Sequence, residues 1–139
     1  MSAVALQRSK KYLEDKGWHV AIVEKWNQWA HIRQDLYGFA DLVAVRHDSN
    51  GVWAINACED NGAVQAHQDK YINGWDDPKR GRQPPNYTLP VWLSAGNRFS
   101  IFGWGKRSSD GRGSRKVWTL RVMESYLDGT EPKFKEVPS

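Results

Sequence analysis

Residues 38–58 read GFADLVAVRHDSNGVWAINAC. Two apolar runs flank His47-Asp48-Ser49-Asn50-Gly51, a cluster of turn-forming residues. This predicts a hairpin, with one strand over Phe39–Arg46 and the next over Val52–Cys58. The first strand is apolar except at Asp41. An ionised carboxylate in a buried strand is costly unless it is paired or holds a cation. In the second strand Asn56 and Cys58 stand two apart and share one face, while Ala57 points away and leaves its carbonyl available.

The rest of the chain is read outward from this hairpin. Residues 3–16 fit a helix, with Ser2 as N-cap and Gly17 just past the end. Trp18–Trp26 reads as a strand with Val20, Ile22, Glu24 and Trp26 on one face. Asn27–Tyr37 reads as a connector with some helical character and a polar group of His31, Arg33, Gln34 and Asp35. After the hairpin, Glu59-Asp60-Asn61 precedes a helix over residues 62–72. Residues 73–87 form the clearest loop. A short helix from Thr88 to Ala95 and strands over 97–105 and 116–123 follow, with a Gly/Ser/Arg-rich loop over 106–115. From Asp128 the low apolar content predicts a frayed tail. The order is α-β-β-β-α-(α)-β-β. It implies an α/β domain over 1–127, a central mixed sheet flanked by helices, and a flexible segment over 128–139.

At 139 residues with 40% hydrophobic and 26% charged residues, the composition excludes a wholly disordered chain. No apolar run is long enough to span a membrane, and the N-terminus lacks the apolar segment of a signal peptide. A single cysteine excludes an internal disulfide and a four-cysteine zinc module. The expected compartment is the cytoplasm. His19, His31, His47 and His67 show no zinc spacing with Cys58.

Lys plus Arg is 20 against 16 acids, with a pI near 9.3. The bases Lys79, Arg80, Arg82, Arg98, Lys106, Arg107, Arg112, Arg115, Lys116 and Arg121 are interrupted by one acid, Asp110. Tyr87, Trp92, Phe99, Phe102, Trp104 and Trp118 lie among them. Cations neutralise phosphates and flat rings stack on bases, so the pattern points to nucleic acid, with Trp104 as a candidate stacking platform. Acids on neighbouring strands, Glu24 and Asp41, are candidates to hold a divalent cation, which needs hard oxygen donors.

The segments YLEDKGW, VEKWN, HIRQDLYGFADLVAVR and GVWAINACED, with NGAVQAHQDK and WLSAGNRFSIFGWGKR as a looser match, carry a resemblance. The chain resembles the PD-(D/E)XK nuclease superfamily, with its restriction-endonuclease-like fold. It is most similar to the small Holliday-junction-resolvase-like and phage or bacterial nuclease-like members. The resemblance implies a metal-dependent nuclease acting on DNA, with branched or recombination intermediates as candidate substrates and RNA left open. It also implies Mg2+ or Mn2+ as cofactor, and a homodimer as the family expectation. Asp41 matches the metal-binding aspartate, and Glu24 resembles an additional acid on the first strand. The acid-x-lysine motif falls on Asn56-Ala57-Cys58, with Asn56 and the Ala57 carbonyl as implied metal ligands. Cys58 stands where lysine is expected; Lys70, with His67 one turn before it, is the implied substitute. Arg33, Lys106 and Arg107 are implied phosphate contacts, joined by Lys79, Arg80, Arg82, Arg112, Arg115 and Lys116 from the basic stretch. The alternative is a catalytically degenerate relative that binds nucleic acid or protein.

Overall fold

The computed structural model describes residues 3–108 and 115–139. Its elements run α1 (Ala3–Asp15), β1 (His19–Ile22), β2 (Lys25–Asn27), β3 (Ile32–Gln34), β4 (Leu42–Val45), β5 (Trp53–Glu59), α2 (Ala63–Asn73), β6 (Trp75–Asp77), β7 (Gly81–Gln83), α3 (Thr88–Ser94), β8 (Arg98–Ser108), β9 (Lys116–Asp128) and β10 (Glu131–Val137). Six strands make one mixed sheet in the order β1-β4-β5-β8-β9-β10. Neighbours are antiparallel except β5 and β8, which run parallel. Parallel strands need a crossover, and the segment carrying α2 and α3 supplies it.

The 38–58 hairpin forms as expected, with Leu42 opposite Ile55 and Ala44 opposite Trp53. Alternation along β5 then assigns its faces. Ile55 and Ala57 pack with Ala5, Leu6 and Leu13 of α1 and with Phe102 of β8. Ala54 and Cys58 face Val64 and Tyr71 of α2 and Leu89 of α3. Covering on both sides explains why these strands read as near-continuous apolar runs. No helix among the described residues is long and apolar enough to cross a membrane.

Trp104 belongs to this interior, which overturns its expected role as a stacking platform. It is buried, and its indole Nε1 donates to Ser9 Oγ at 2.9 Å. The Ser9 hydroxyl in turn donates to the Ala5 carbonyl at 2.8 Å. On the other face, α2 seats on β8 through Gly103, where a Cβ would lie 2.6 Å from Val64 Cγ2. Gly103→Ala is therefore expected to lower stability by about 1–3 kcal/mol through overpacking. Equilibrium denaturation checks this as a lower midpoint at unchanged slope; wild-type stability would contradict the close helix–sheet approach.

The sequence reading is corrected where short hairpins leave the main sheet. The expected Trp18–Trp26 strand ends at Ile22, because the Val23 and Glu24 amides both donate to the Asp41 carbonyl, at 2.9 and 3.3 Å. The chain then turns into β2, which pairs with β3 in a separate two-stranded sheet. The connector over 27–37 is thus largely a hairpin rather than helical. The loop over 73–87 contains a second small hairpin, β6 with β7. Its turn is shaped by Asp77 Oδ1, which accepts from the amides of Lys79 and Arg80. Three-residue strands offer too little alternation to stand out from a loop.

The expected frayed tail is also overturned. Glu131–Val137 pairs with β9 through a two-residue turn in which Gly129 has φ 65°. Only Phe134 and Val137 reach the two core clusters. The outward lysines Lys133 and Lys135 suit a charged edge strand, so the low apolar content marks an edge rather than disorder.

Candidate functional site

Asp41 sits immediately before β4, where the ladder with β5 stops. Its amide donates to the Ile55 carbonyl at 2.9 Å, and its Oδ2 accepts the Ala57 amide at 2.8 Å. The carboxylate thus takes the place of a ladder carbonyl and satisfies the next strand amide. The Ala57 carbonyl leaves β5 on that same edge, since both backbone groups of a strand residue point to one neighbour.

Two further acids converge on Asp41. Glu24 comes from the break between β1 and β2, tied by its own amide to the Asp41 carbonyl. Asp35 comes from the end of β3. The chain reverses over Tyr37 and Gly38, which have φ of 55° and 80°, and an isolated bridge joins Leu36 to Ala40. That reversal returns the backbone so that Glu24, Asp35 and Asp41 each place a carboxylate oxygen within 4.8 Å of the others. The Glu24 side chain is only 2% exposed, with Oε1 3.7 Å from Arg33 Nε. Its Oε2 is buried without a hydrogen-bond partner.

Electrostatics follow from this crowding. Burial, then the hydrogen bond and charge of Asp35, pushes the Asp41 carboxyl up to about 9. Burial and the Asp35 charge also raise Glu24, opposed by Arg33. Neighbouring carboxylates this close resist ionising together, unless a cation joins them. The donor set fits a hard divalent cation: three carboxylates, one of whose oxygens is desolvated and unpartnered. Asp35 was not among the metal ligands expected from sequence. No sequence pattern marked it, because the reversal that returns it to Asp41 passes through Tyr37 at φ 55°.

The remaining site residues lie on β5 and α2. Asn56 is buried, and its Oδ1 is 2.6 Å from His67 Nδ1. An amide oxygen only accepts, so this contact puts the proton on Nδ1 and leaves a lone pair on Nε2. Burial, then the nearby Lys70 charge, holds the His67 pKa below its ordinary value, which favours the neutral ring. The side chain of Asn56, expected as a metal ligand, is therefore engaged by His67. Cys58 shares its face in the core, and burial pushes its thiol up to about 12. A neutral thiol is neither a substitute for the motif lysine nor a nucleophile.

The C-terminal part of α2 and the end of β3 border a cleft of about 550 Å³. Residues 32–35 with Tyr37 and Gly38 line one part, Lys70 and Tyr71 another, and Trp75, Arg80 and residues 83–88 the rest. Lys70 Nζ lies 4.7 Å from the Trp75 ring centre. Among the expected phosphate contacts that are described, Arg33 and Arg80 line this cleft, Arg80 being paired with Asp77 at 2.9 Å. Arg82 is turned to Asp76 and to the Asn73 carbonyl. Lys106 lies over Trp118 at 5.2 Å, and Arg107 is ion-paired with Asp60, which also faces Arg121 at 3.5 Å. Lys79, Arg115 and Lys116 are exposed. Arg112 lies outside the described residues.

The chain was compared with protein-family models, curated proteins and solved structures. None of them matches it.

Proposed function

We propose that the chain is a metal-dependent nuclease that hydrolyses phosphodiester bonds in DNA, built on a restriction-endonuclease-like arrangement of the sheet. The observation that carries the reading is the three-carboxylate cluster with the buried, unpartnered Glu24 Oε2, beside a cleft bordered by Arg33, Lys70 and Arg80. Glu24, Asp35 and Asp41 would hold Mg2+ or Mn2+. Such a cation polarises a phosphodiester and lowers the pKa of a bound water. Lys70 supplies fixed positive charge for the phosphate. His67, oriented by Asn56, offers Nε2 to accept or hold a water proton.

One observation favours the degenerate alternative. Both motif positions, Asn56 and Cys58, are buried and carry no charge at neutral pH. Incubating single-stranded, duplex and branched DNA with Mn2+ or with EDTA separates the readings. The nuclease reading expects cleavage with Mn2+ alone, and a Lys70→Ala variant slowed about 10²-fold. Binding without cleavage of any of the three substrates would overturn it in favour of the degenerate module.

A further inference from the structure

We propose that the β2–β3 hairpin is a stacking arm for unpaired bases of single-stranded DNA, with Trp29 as its platform. The inference deepens the reading of the adjoining cleft as a nucleic-acid site but does not depend on cleavage. Trp29 stands in the turn of the hairpin and is 87% exposed, and Trp26 beside it is 56% exposed. A tryptophan so exposed gains nothing for the fold; its large flat face is available to a partner. The turn that presents it is held in shape. Asn27 Oδ1 accepts the amides of Trp29 and Ala30, both at 3.0 Å, and Asn27 Nδ2 donates to Gln34 Oε1 at 3.2 Å.

Charge selects the partner. Residues 25–34, KWNQWAHIRQ, contain no acid and carry Lys25 and Arg33, the latter 3.7 Å from Glu24 Oε1 at the base of the arm. Trp26 lies directly opposite Arg33 in the hairpin register, so ring and guanidinium share one face. A second copy of this chain, at net +4, would bring like charge to this arm. A polyanion with accessible ring faces complements both features, and only an unpaired strand offers its bases for stacking. The arm also continues into the cleft: Ile32, Arg33 and Gln34 of β3 form part of its lining, leading to Asp35. A strand stacked on Trp29 would thus run its phosphates toward the acidic cluster. Tyr87, exposed among the cleft-lining residues, offers a further ring.

The test uses the full chain in EDTA with fluorescein-labelled oligo(dT) and a duplex of equal length, read by anisotropy. Trp29→Ala is expected to weaken oligo(dT) binding about 10-fold or more while changing duplex binding less than about twofold; Trp29→Phe should retain most of the affinity. Because Trp29 packs on no core cluster, unchanged circular dichroism should accompany the loss. Equal oligo(dT) affinity in Trp29→Ala overturns the arm, as does wild-type sedimentation as a dimer that this variant dissociates. Mn2+-dependent cleavage is measured in parallel. Trp29-dependent binding without cleavage removes the nuclease reading alone; cleavage with Trp29-independent binding removes the arm alone.

Discussion

Asp41→Asn is expected to abolish Mn2+-dependent cleavage and, at the same time, to make the metal-free protein more stable. The loss of activity follows from removing one of three carboxylates that would share the cation. Loss of Lewis-acid stabilisation is worth several kcal/mol, or about 10³-fold and more in rate. The gain in stability follows from proton linkage. The Asp41 carboxyl is raised from an ordinary 3.8 to about 9, by burial first and by Asp35 second. A group raised in the folded state contributes stability that is fully present below the unfolded pKa and is lost as pH rises through the folded one. For Asp41 that window runs from about 4 to about 9. Asparagine removes the penalty, still accepts the Ala57 amide through its oxygen, and turns an NH2 donor toward Asp35. The variant should therefore melt higher by about 1–3 kcal/mol, or several degrees, at pH 8, with the difference vanishing near pH 4. Thermal denaturation in EDTA across this range measures it. A variant less stable than wild type at pH 8 would show that Asp41 is held charged by some compensating contact.

The same residue shows what the sequence made legible. Its strand was readable because the two apolar runs around residues 47–51 carry the periodicity and turn chemistry of a hairpin, and Asp41 stood out as the exception within one run. The parity of Asn56 and Cys58 was equally readable, since alternation along a strand is geometric. His67 and Lys70 were legible as neighbours on one helix turn. The arrival of Asp35 was not. It depends on two consecutive positive-φ residues, one of them the non-glycine Tyr37, and no period or propensity announces a reversal at tyrosine. The burial of Glu24 was hidden for a related reason. An unbroken strand would place it on an ordinary face, whereas the break after Ile22 swings it against Asp41. The basic stretch misled by density: Arg107 and Arg121 are engaged with acids of the fold, and Trp104 completes the core. Tyr87 is the exposed ring of that stretch, whereas the two exposed tryptophans, Trp26 and Trp29, lie on a short hairpin whose strands of three residues leave too faint a pattern to read.

Adding Mg2+ should raise the melting temperature strongly at pH 8.5 and little at pH 6. A ligand that binds the folded state alone stabilises it by about 2.7 kcal/mol at 100 times its dissociation constant. Here the cation competes with protons. Asp41 stays largely protonated below about 9, so binding must release that proton. With one proton displaced, affinity grows up to about tenfold per pH unit, levelling off near the Asp41 value. Ca2+, which accepts the same oxygen donors, should shift the melt without supporting cleavage at a comparable rate. Glu24→Gln removes the buried unpartnered carboxylate and should abolish most of the Mg2+-induced shift while leaving the fold intact, because its tie to the Asp41 carbonyl is made by the backbone. A shift that is equal at both pH values, or undiminished in Glu24→Gln, would mean that the cation binds elsewhere. The three converging carboxylates would then be no more than a protonated acidic knot that closes the end of the β4–β5 ladder.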